Sequence, residues 1–247
     1  MKDCISVCMS TYNGERHIFN QLKSIVEQDI QPDEIIIVDD ASSDKTVQII
    51  KSFVKHHSNI KLYVNDQNFG VNYSFAKAIR LTKNNIIIFS DQDDFWYASR
   101  LKAIRNKFRE NSDLEMVLTN AHVYMNEEYT GLTTFDFYNP TKSFVKVFYK
   151  NCFIGCQMAI KKTMMPSFIN FPKYTFYDHF IALFFLINGK QVDFIDEVHS
   201  KYIRHDGNLT NLKVSSSLLE GIFSRIFIIL YLIKIAINRP KTRSEYE

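Results

Sequence analysis

Short apolar runs alternate with segments of helical periodicity through the first hundred residues of the chain. The apolar runs cover residues 5–9, 34–38, 60–64 and 86–89. Runs of this length, rich in isoleucine and valine, are typical of strands that are buried on both faces of a sheet. Between them, apolar residues recur every three or four positions, as at Ile18, Leu22 and Ile25, which predicts helices. The alternation predicts an α/β fold with a mostly parallel sheet flanked by helices.

The pattern is less regular after the fourth strand. It predicts a helix near 101–108, a strand over 115–124, and a turn-rich loop over 126–142. A short helix over 144–148 and a strand over 153–160 follow. The last predicted elements are a helix over 177–188 and strands over 191–195 and 198–203. No linker composition separates these elements from the first half, so we expect one domain over 1–210, with a nucleotide-binding half at 1–97 and an acceptor half at 98–210.

The residues after 210 change in character, and we expect 211–247 to form a helical, basic extension. Its uncharged segment, residues 226–233, would be about 12 Å long as a helix, against roughly 30 Å for a bilayer core. A helix lying on an anionic membrane surface fits this pattern, with basic residues such as Arg239 and Lys241 near the headgroups. Packing on the protein, or on a second subunit in a homodimer, is the alternative.

Composition narrows the class of protein. The chain has 247 residues, 46% of them hydrophobic, which is enough for a sizeable core. A net charge of +3 from 30 basic and 27 acidic residues gives no reason to expect a nucleic-acid partner. The four cysteines fit buried, reduced thiols, and the start of the chain lacks the pattern of a secretory signal. We therefore expect a cytoplasmic protein, with a peripheral position at the inner face of the cell membrane if the C-terminal helix binds lipid.

Three carboxylates follow the apolar run 86–89 within a few positions, at Asp91, Asp93 and Asp94. Ligands of open α/β sheets bind beyond the carboxyl ends of the strands. Clustered carboxylates repel one another unless a cation lies between them, so Mg²⁺ or Mn²⁺ is the predicted occupant. His205 is a candidate for a further metal ligand or a phosphate contact. The alternatives are a solvated acidic turn and a structural histidine.

Asp39 and Asp40 end the second predicted strand. An ionised aspartate only accepts hydrogen bonds, and uracil and thymine present an imide N–H that cytosine lacks. Asp39 could therefore select a uridine or thymidine diphosphate. The alternative is that both carboxylates cap the following helix.

Asp178 opens a predicted helix and is followed by His179. The partial positive charge of a helix N-terminus should keep its carboxylate ionised and able to act as a base. A purely structural placement at the helix start is the alternative.

Four motifs in the first hundred residues, taken together and in this order, resemble one known family. They are Thr11-Tyr12-Asn13-Gly14-Glu15, Ile36-Ile37-Val38-Asp39-Asp40, Asn68-Phe69-Gly70 and Phe89-Ser90-Asp91-Gln92-Asp93-Asp94-Phe95-Trp96. They resemble the bacterial family 2 glycosyltransferases with the GT-A fold, in particular the rhamnosyltransferase-like branch that assembles cell-surface polysaccharide. The similarity extends over about residues 4–210.

The resemblance implies roles for particular residues. Nucleotide binding would fall to Thr11, Tyr12, Asn13, Glu15, Asp39, Asn68, Asp91 and Gln92. Asp93 and His205 would hold the metal, and Asp178 would be the catalytic base. Contacts to acceptor or sugar would come from Asp94, Trp96, Gly155, Cys156, His179 and Arg204.

The chain departs from the family pattern at two positions. Ile203 stands where the family often has arginine, with Arg204 one position later, so a phosphate role for Arg204 is in doubt. Arg100 stands where lysine is frequent after the acidic turn.

The predicted reaction is a metal-dependent inverting transfer of rhamnose or another hexose from a dTDP- or UDP-sugar. The acceptor would be a hydroxyl of a cell-surface polysaccharide or lipid-linked precursor. Three alternatives stay open on sequence: a sugar-nucleotide nucleotidyltransferase, a phosphoacceptor signalling domain and a non-catalytic sugar-nucleotide-binding relative. The choice of sugar would rest with the loops 126–142 and 151–178. Aromatic residues there, such as Phe137 and Tyr149, could stack on sugar rings or pack in the core.

Overall fold

The computed structural model describes residues 3–165, 170–172, 175–204 and 225–230. Within these ranges the strands are β1 (Ile5–Thr11), β2 (Glu34–Asp39), β3 (Ile60–Val64), β4 (Ile86–Ser90), β5 (Phe95–Trp96), β6 (Leu114–Met125), β7 (Glu128–Thr133), β8 (Met158–Lys161) and β9 (Gln191–Arg204). The helices are α1 (Ile18–Val26), α2 (Thr46–His56), α3 (Val71–Leu81), α4 (Arg100–Glu110), α5 (Thr134–Tyr138), α6 (Phe144–Tyr149) and α7 (Tyr177–Ile187).

All nine described strands belong to one sheet, in the order β3-β2-β1-β4-β8-β6-β9-β5, with β7 paired to β6. The first four strands along this order are parallel, as predicted. Their register places Thr11 beside Asp39 and Met9 beside Ser90, so the motifs that follow β1, β2 and β4 meet at one edge of the sheet.

The other half of the sheet gives it a mixed character. β8 is antiparallel to both β4 and β6, while β6 and β9 are parallel to each other. β5 and β7 pair antiparallel with β9 and β6. The sheet is therefore less uniformly parallel than predicted, because an apolar run indicates a buried strand and not the direction of its neighbours.

Three local predictions are wrong in detail. The segment 126–142, expected as a loop, contains β7 and α5, and the Thr133 and Asp136 side chains form a reciprocal N-terminal cap on α5. The strand expected over 153–160 starts later, because residues Gly155–Gln157 form a 3-10 turn that precedes β8. The two late strands are one strand, β9, with shifts in its register to β6.

The core lies on both faces of the sheet. Side chains of β2 alternate between the two layers, with Ile36 and Val38 in one cluster and Ile35 and Ile37 in the other. All six residues of this strand are buried. A strand covered on both sides has no solvent-facing positions, which is why its sequence is continuously apolar.

Residues 225–230 are helical, and Ile228 is buried in the core cluster that also contains α7. The guanidinium of Arg225 donates to the carbonyl oxygen of Tyr149. The four apolar neighbours of Ile228 are 40–56% exposed; they are Ile226, Phe227, Ile229 and Leu230. The domain limit at 210 and most of the 211–247 extension lie outside the described residues, so the membrane and homodimer interpretations stay predictions. Among the described helices, none has the length and apolar character needed to span a bilayer.

Candidate active site

A cleft of about 310 Å³ opens at the carboxyl edge of the parallel strands. Tyr12, Asn68, Asp91, Gln92, Asp93 and Asp178 are among the residues that line it. The fold thus brings together, in one cleft, Asp178 and residues from three motifs that are far apart in the sequence. Ser10, Asp40, Ile154, Phe176, Tyr177 and Tyr202 also line the cleft and were not predicted as site residues.

The loop after β1 is fixed to the acidic turn by Gln92. The Gln92 amide accepts a hydrogen bond from the backbone N–H of Tyr12 at 2.9 Å and donates to the Tyr12 carbonyl at 3.0 Å. A Cβ added to Gly14 would lie 2.2 Å from Gln92 Oε1, so a larger residue there would push the flexible Gln92 amide out of this clamp. Tyr12 is 46% exposed and forms part of the cleft wall.

Asn13 and Glu15 bind the neighbouring loop after β2. The Asn13 side-chain oxygen accepts from the N–H of Ser43 at 2.9 Å, and Glu15 Oε2 accepts from the N–H of Lys45 at 2.9 Å. In return, Asp44 accepts from the Glu15 N–H at 3.0 Å. These two predicted nucleotide-binding residues therefore hold two loops together, and both remain exposed beside the cleft.

Asp39 is fully buried at the end of β2. Its carboxylate accepts hydrogen bonds from Thr11 Oγ1 at 2.8 Å, from Ser42 N at 2.8 Å and from Ser42 Oγ at 2.6 Å. Three of about four acceptor positions of the carboxylate are therefore occupied. Contact with a nucleobase would require Ser42 to give way, and base recognition by Asp39 stays a prediction.

Asp40 lines the cleft and organises the loop that contains Asn68. Its carboxylate accepts from Asn65 Nδ2 at 2.7 Å, from the Phe69 N–H at 3.0 Å and from the Gly70 N–H at 2.7 Å. Gly70 has a φ of 89°, a backbone conformation that favours glycine. The cap of the next helix, the alternative considered for Asp40, does not describe it: Asp40 anchors the start of α3, and the carboxylate of Asp44 accepts from the Thr46 N–H at the start of α2.

The three carboxylates of the acidic turn after β4 lie in two different environments. Asp91 and Asp93 line the cleft, whereas Asp94 is buried and accepts a hydrogen bond from the Ile203 N–H at 3.3 Å. Burial, followed by the charge of Asp93, raises the pKa of Asp94 to about 7. Burial and the charges of Asp94, Asp93 and Asp178 raise the pKa of Asp91 well above its ordinary value.

A cation fits the chemistry of this turn. Asp91, Asp94 and Cys156 each place one ligand atom within 4.8 Å of the others, the one such group found among the described residues. Asp94 Oδ2 is buried and receives no hydrogen bond from an N–H or O–H group. Asp93 lies outside this group although it lines the same cleft. The second predicted metal ligand, His205, lies outside the described residues.

Asp178 lies in the first turn of α7 and lines the cleft. Its carboxylate accepts from the His179 N–H at 2.6 Å, from Asn151 Nδ2 at 3.2 Å and from the Gly155 N–H at 3.3 Å. Burial nevertheless raises the pKa of Asp178 to about 6, above the ordinary value of an aspartate but low enough to leave the carboxylate largely ionised at neutral pH. Desolvation therefore outweighs the helix dipole and the three donors.

Tyr177 and Gly155 fit tightly beside Asp178. The Tyr177 ring packs on Phe75 with centroids 4.1 Å apart, and a Cβ added to Gly155 would lie 1.9 Å from the Tyr177 hydroxyl oxygen. The charges of Asp91 and Asp178 add to burial in raising the pKa of Tyr177 well above its usual range. The absence of a side chain at Gly155 thus leaves room for the Tyr177 phenol in the cleft wall. No sequence pattern indicated this contact.

The other residues predicted to contact the sugar or acceptor lie behind the cleft surface. Trp96 and Cys156 are fully buried, and the Arg100 guanidinium lies 4.6 Å from the Trp96 ring centre. His179 Nε2 lies 2.8 Å from the Val147 carbonyl oxygen, so that nitrogen carries the proton. Arg204 donates to the Tyr202 hydroxyl at 3.0 Å. These side chains support the residues that line the cleft, and direct contacts to a ligand remain predictions.

Comparison with known proteins gives the family. A family model described as "Glycosyl transferase family 2" matches residues 6–168. The UDP-Glc:alpha-D-GlcNAc-diphosphoundecaprenol beta-1,3-glucosyltransferase WfgD of Escherichia coli is 26% identical over 214 residues, which cover 86% of this chain and 80% of that protein. The dTDP-rhamnosyl transferase RfbG of Shigella flexneri is 31% identical over 182 residues, covering 66% of this chain and 57% of that protein.

Solved structures show the same fold. Residues 1–349 of S. aureus TarS in complex with UDP-GlcNAc align with a TM-score of 0.72 at 18% identity, over 98% of this chain and 69% of TarS 1–349. The mannosyltransferase PcManGT of Pyrobaculum calidifontis, in complex with GDP-Man and Mn²⁺, aligns with a TM-score of 0.66 at 20% identity, over 98% of this chain and 66% of that one. At these identities the likeness establishes the GT-A-like fold.

The family match also decides between the classes that the sequence left open. A nucleotidyltransferase and a phosphoacceptor domain are both set aside, because the match covers the whole parallel half of the sheet and continues through β8. The chain belongs to glycosyltransferase family 2 and is a glycosyltransferase that uses sugar nucleotides.

Proposed function

We propose that this enzyme transfers a hexose or deoxyhexose from a UDP- or dTDP-sugar to a saccharide hydroxyl, with inversion at the anomeric carbon. The observation that carries the proposal is the carboxylate of Asp178, which shares a cleft with Asp91 and Asp93 and has a pKa raised to about 6. A base with a pKa near the working pH is well suited to accept a proton during the reaction.

Asp178 is held in place for this role. Three donors from Asn151, Gly155 and His179 fix its two carboxylate oxygens. The acceptor hydroxyl would lie beside Asp178 and attack the anomeric carbon from the face opposite the diphosphate, giving its proton to the carboxylate. Charge developing on the sugar ring would resemble that of an oxocarbenium ion. A base held in a fixed position lowers the entropic cost of reaching the reactive geometry.

Asp91 and Asp93 would hold Mg²⁺ or Mn²⁺ at the cleft surface, together with oxygens of the diphosphate. Such a cation, when bound, neutralises the negative charge that develops on the leaving group. The crowding of Asp91 by three other carboxylates supports this assignment, because a divalent cation relieves the repulsion that raises the pKa of Asp91.

The donor class is supported by the relatives. The names of WfgD and RfbG specify UDP-Glc and dTDP-rhamnosyl transfer. Both nucleotides carry a pyrimidine with an imide N–H, the group from which the Asp39 carboxylate is proposed to accept a hydrogen bond. Rhamnose stays a proposal of the same weight as glucose or another hexose.

The acceptor is proposed to be a lipid-linked saccharide or a growing cell-surface polysaccharide. WfgD, which this chain covers over 80% of its length, is named for an acceptor of the GlcNAc-diphosphoundecaprenol type. With an acceptor of that kind, the proposed reaction would take place at a membrane surface, and we propose the inner face of the cell membrane. The exposed apolar side chains of residues 226–230 are compatible with such a position.

The decisive experiment separates proton transfer from donor binding. Asp178→Asn keeps the size of the side chain and removes the base, so we expect turnover to fall by about 10²–10⁴-fold. Donor affinity, measured by calorimetric titration with Mn²⁺ present, should change less than about threefold, because the substitution removes no group assigned to the nucleotide. Asp29→Asn, an exposed carboxylate outside the cleft, is the matched control.

A nucleotide screen tests the donor class in the same preparation. UDP or dTDP should raise the melting temperature in the presence of Mn²⁺, and ATP should not, because ligands stabilise the state that binds them. Near wild-type turnover of Asp178→Asn would contradict the assignment of the base. Stabilisation by ATP alone would contradict the donor class.

A further inference from the structure

One group of side chains at the floor of the cleft contains a sulfur ligand that the proposed transfer reaction does not use. Cys156, in the 3-10 turn before β8, lies with Asp91 and Asp94 so that one ligand atom of each is within 4.8 Å of the others. Cys156 and Asp94 are buried, while Asp91 reaches the cleft. The group is therefore closed on the protein side and accessible to an ion from the cleft.

An unpaired oxygen points to a missing partner in this group. Asp94 is only 3% exposed, and its Oδ1 atom accepts from the Ile203 N–H, whereas Oδ2 receives no N–H or O–H donor. Leaving a buried carboxylate oxygen without a donor costs free energy that most proteins avoid. A bound cation would supply the missing partner.

Arg100 supplies a fixed charge beneath the same group. Its guanidinium is fully buried and donates to Gln157 Oε1 at 2.8 Å, Ser200 Oγ at 2.6 Å and the Cys156 carbonyl at 2.6 Å, all of them neutral acceptors. These bonds hold the turn that presents the thiol. With Cys156 as thiolate, the three anionic ligands would balance the charges of Arg100 and one divalent cation, which gives a neutral buried site.

We propose that Asp91, Asp94 and Cys156 form a binding site for a thiophilic divalent cation of the Zn²⁺ and Cd²⁺ class. A thiolate ligand favours such ions over Mg²⁺, which prefers oxygen ligands. Binding replaces the thiol proton, so one S–H bond breaks, one S–metal bond forms and the proton leaves to solvent. The site differs from the oxygen site proposed for Mg²⁺ or Mn²⁺ by its sulfur, and its existence does not depend on the proposed transfer mechanism.

Cadmium titration of the full chain, with no donor or acceptor present, tests the site by a signal that only sulfur ligation gives. Cd²⁺ should produce a sulfur-to-metal charge-transfer band in the ultraviolet that saturates at one equivalent. Cys156→Ser should abolish this band. Cys152→Ser, which changes a second buried thiol in a different core cluster, should leave it unchanged and is the matched control.

A second variant keeps the test valid if Cys156→Ser fails to fold, an outcome that circular dichroism would detect. Asp94→Asn keeps the thiol and should preserve the band, but it should lower the affinity for Cd²⁺ at least about tenfold. Removing even a residue that only hydrogen-bonds to a metal ligand costs about that much affinity or more. Zn²⁺ should displace Cd²⁺, and the same concentration of Mg²⁺ should not. The proposal is overturned if the wild type shows no band, if the band survives in Cys156→Ser, or if Asp94→Asn binds Cd²⁺ as tightly as the wild type.

Discussion

Two pairs of carboxylates end the parallel strands β2 and β4, which lie on either side of β1, and their surroundings are opposite. Asp39 and Asp40 follow β2, and each accepts three hydrogen bonds at 3.0 Å or less. Asp91 and Asp94 follow β4, where Asp94 has one donor at 3.3 Å from the backbone and Asp91 is crowded by other carboxylates. Hydrogen-bond donors therefore surround the aspartates after β2, whereas the aspartates after β4 have few donors and would be stabilised by a positive charge.

This difference separates two uses of buried aspartate. Donors around Asp39 and Asp40 compensate the loss of water, so these carboxylates stabilise the loops that shape the cleft. The acidic turn has weaker compensation, from the Cys156 thiol for both carboxylates and from the Ile203 N–H for Asp94, so burial still raises the pKa values of Asp91 and Asp94. Strongly perturbed acidities in a cleft are typical of functional groups. Removing a charge should therefore have opposite effects on stability in the two pairs.

The largest expected effect is a loss of stability in Asp40→Ala. The substitution removes the acceptor for Asn65 Nδ2 and for the backbone N–H groups of Phe69 and Gly70. Leaving these donors without a charged partner should lower the free energy of unfolding by about 3–5 kcal/mol, since each unsatisfied donor costs about 1–3 kcal/mol and water can reach part of the loop. Urea denaturation of the enzyme without ligands measures this.

Asp40→Asn is the graded control, because its amide oxygen can still accept from one or two of the three donors. Its loss of stability should lie between those of the wild type and the alanine variant. Equal stability of all three proteins would contradict the structural role assigned to Asp40.

The opposite sign is expected for Asp94→Asn in the presence of a chelator. The folded protein raises the pKa of Asp94 from 3.8 to about 7, so the folded state binds the proton more tightly than the unfolded state. Ionisation therefore costs stability as the pH rises from about 4 to 7, by up to about 4 kcal/mol at pH 8. The asparagine variant, which cannot ionise and keeps an acceptor for the Ile203 N–H, should be more stable at pH 8 and equal to the wild type near pH 4.

Denaturation curves at both pH values check this prediction. A variant that is less stable than the wild type at pH 8 would show that the Asp94 carboxylate is better compensated than the geometry indicates. Repeating the pH 8 measurement with Cd²⁺ should reduce the advantage of the variant, because the cation stabilises the ionised wild-type group.

The pH dependence of transfer should follow Asp178. Its pKa is raised to about 6 by burial, and the ionised form is the one that can accept a proton. The value of kcat/KM should therefore be level above pH 7 and fall about tenfold per pH unit below about pH 6. A rate that stays constant between pH 7 and pH 5 would separate Asp178 from proton transfer.

The parallel half of the sheet and the edge where the motifs meet can be predicted from the sequence, because both depend on local patterns of apolar and polar residues. The apolar runs predict the parallel half of the sheet, and the carboxyl ends of β1, β2 and β4 then predict where the motifs meet. The direction of β8 and the 3-10 turn at Gly155–Gln157 are set by tertiary contacts, among them the bonds from Arg100 to Gln157 Oε1 and to the Cys156 carbonyl. No spacing in the chain indicates that contact.

The roles of individual polar residues are harder to predict for the same reason. Asn13, Glu15 and Gln92 belong to recognisable motifs, yet in the structure their side chains bind protein groups from a loop or turn 30–80 positions away. A motif shows that residue types occur together, and only the fold shows which polar atoms are already paired. The sequence-based prediction assigns Tyr177 no role, because its place in the cleft depends on the missing side chain of Gly155.

The smallest expected effect tests the energetic coupling between Gly14 and Gln92, in the loops whose polar groups are already paired. Gln92→Ala removes two exposed hydrogen bonds to the Tyr12 backbone and should cost about 1 kcal/mol of stability. Gly14→Ala should cost a similar amount in the wild type, because its new Cβ would lie 2.2 Å from Gln92 Oε1 and would push the flexible amide away from Tyr12.

Both single substitutions thus break the same clamp, so the double variant should be no less stable than the weaker single one. Such non-additivity is the expected result for residues in direct contact. Urea denaturation of the four proteins in this cycle gives the coupling energy between Gly14 and Gln92. Additive losses would mean that Gly14→Ala disturbs something other than the clamp, for example the hydrogen bond from its own N–H to Thr46 Oγ1, which is 2.7 Å long.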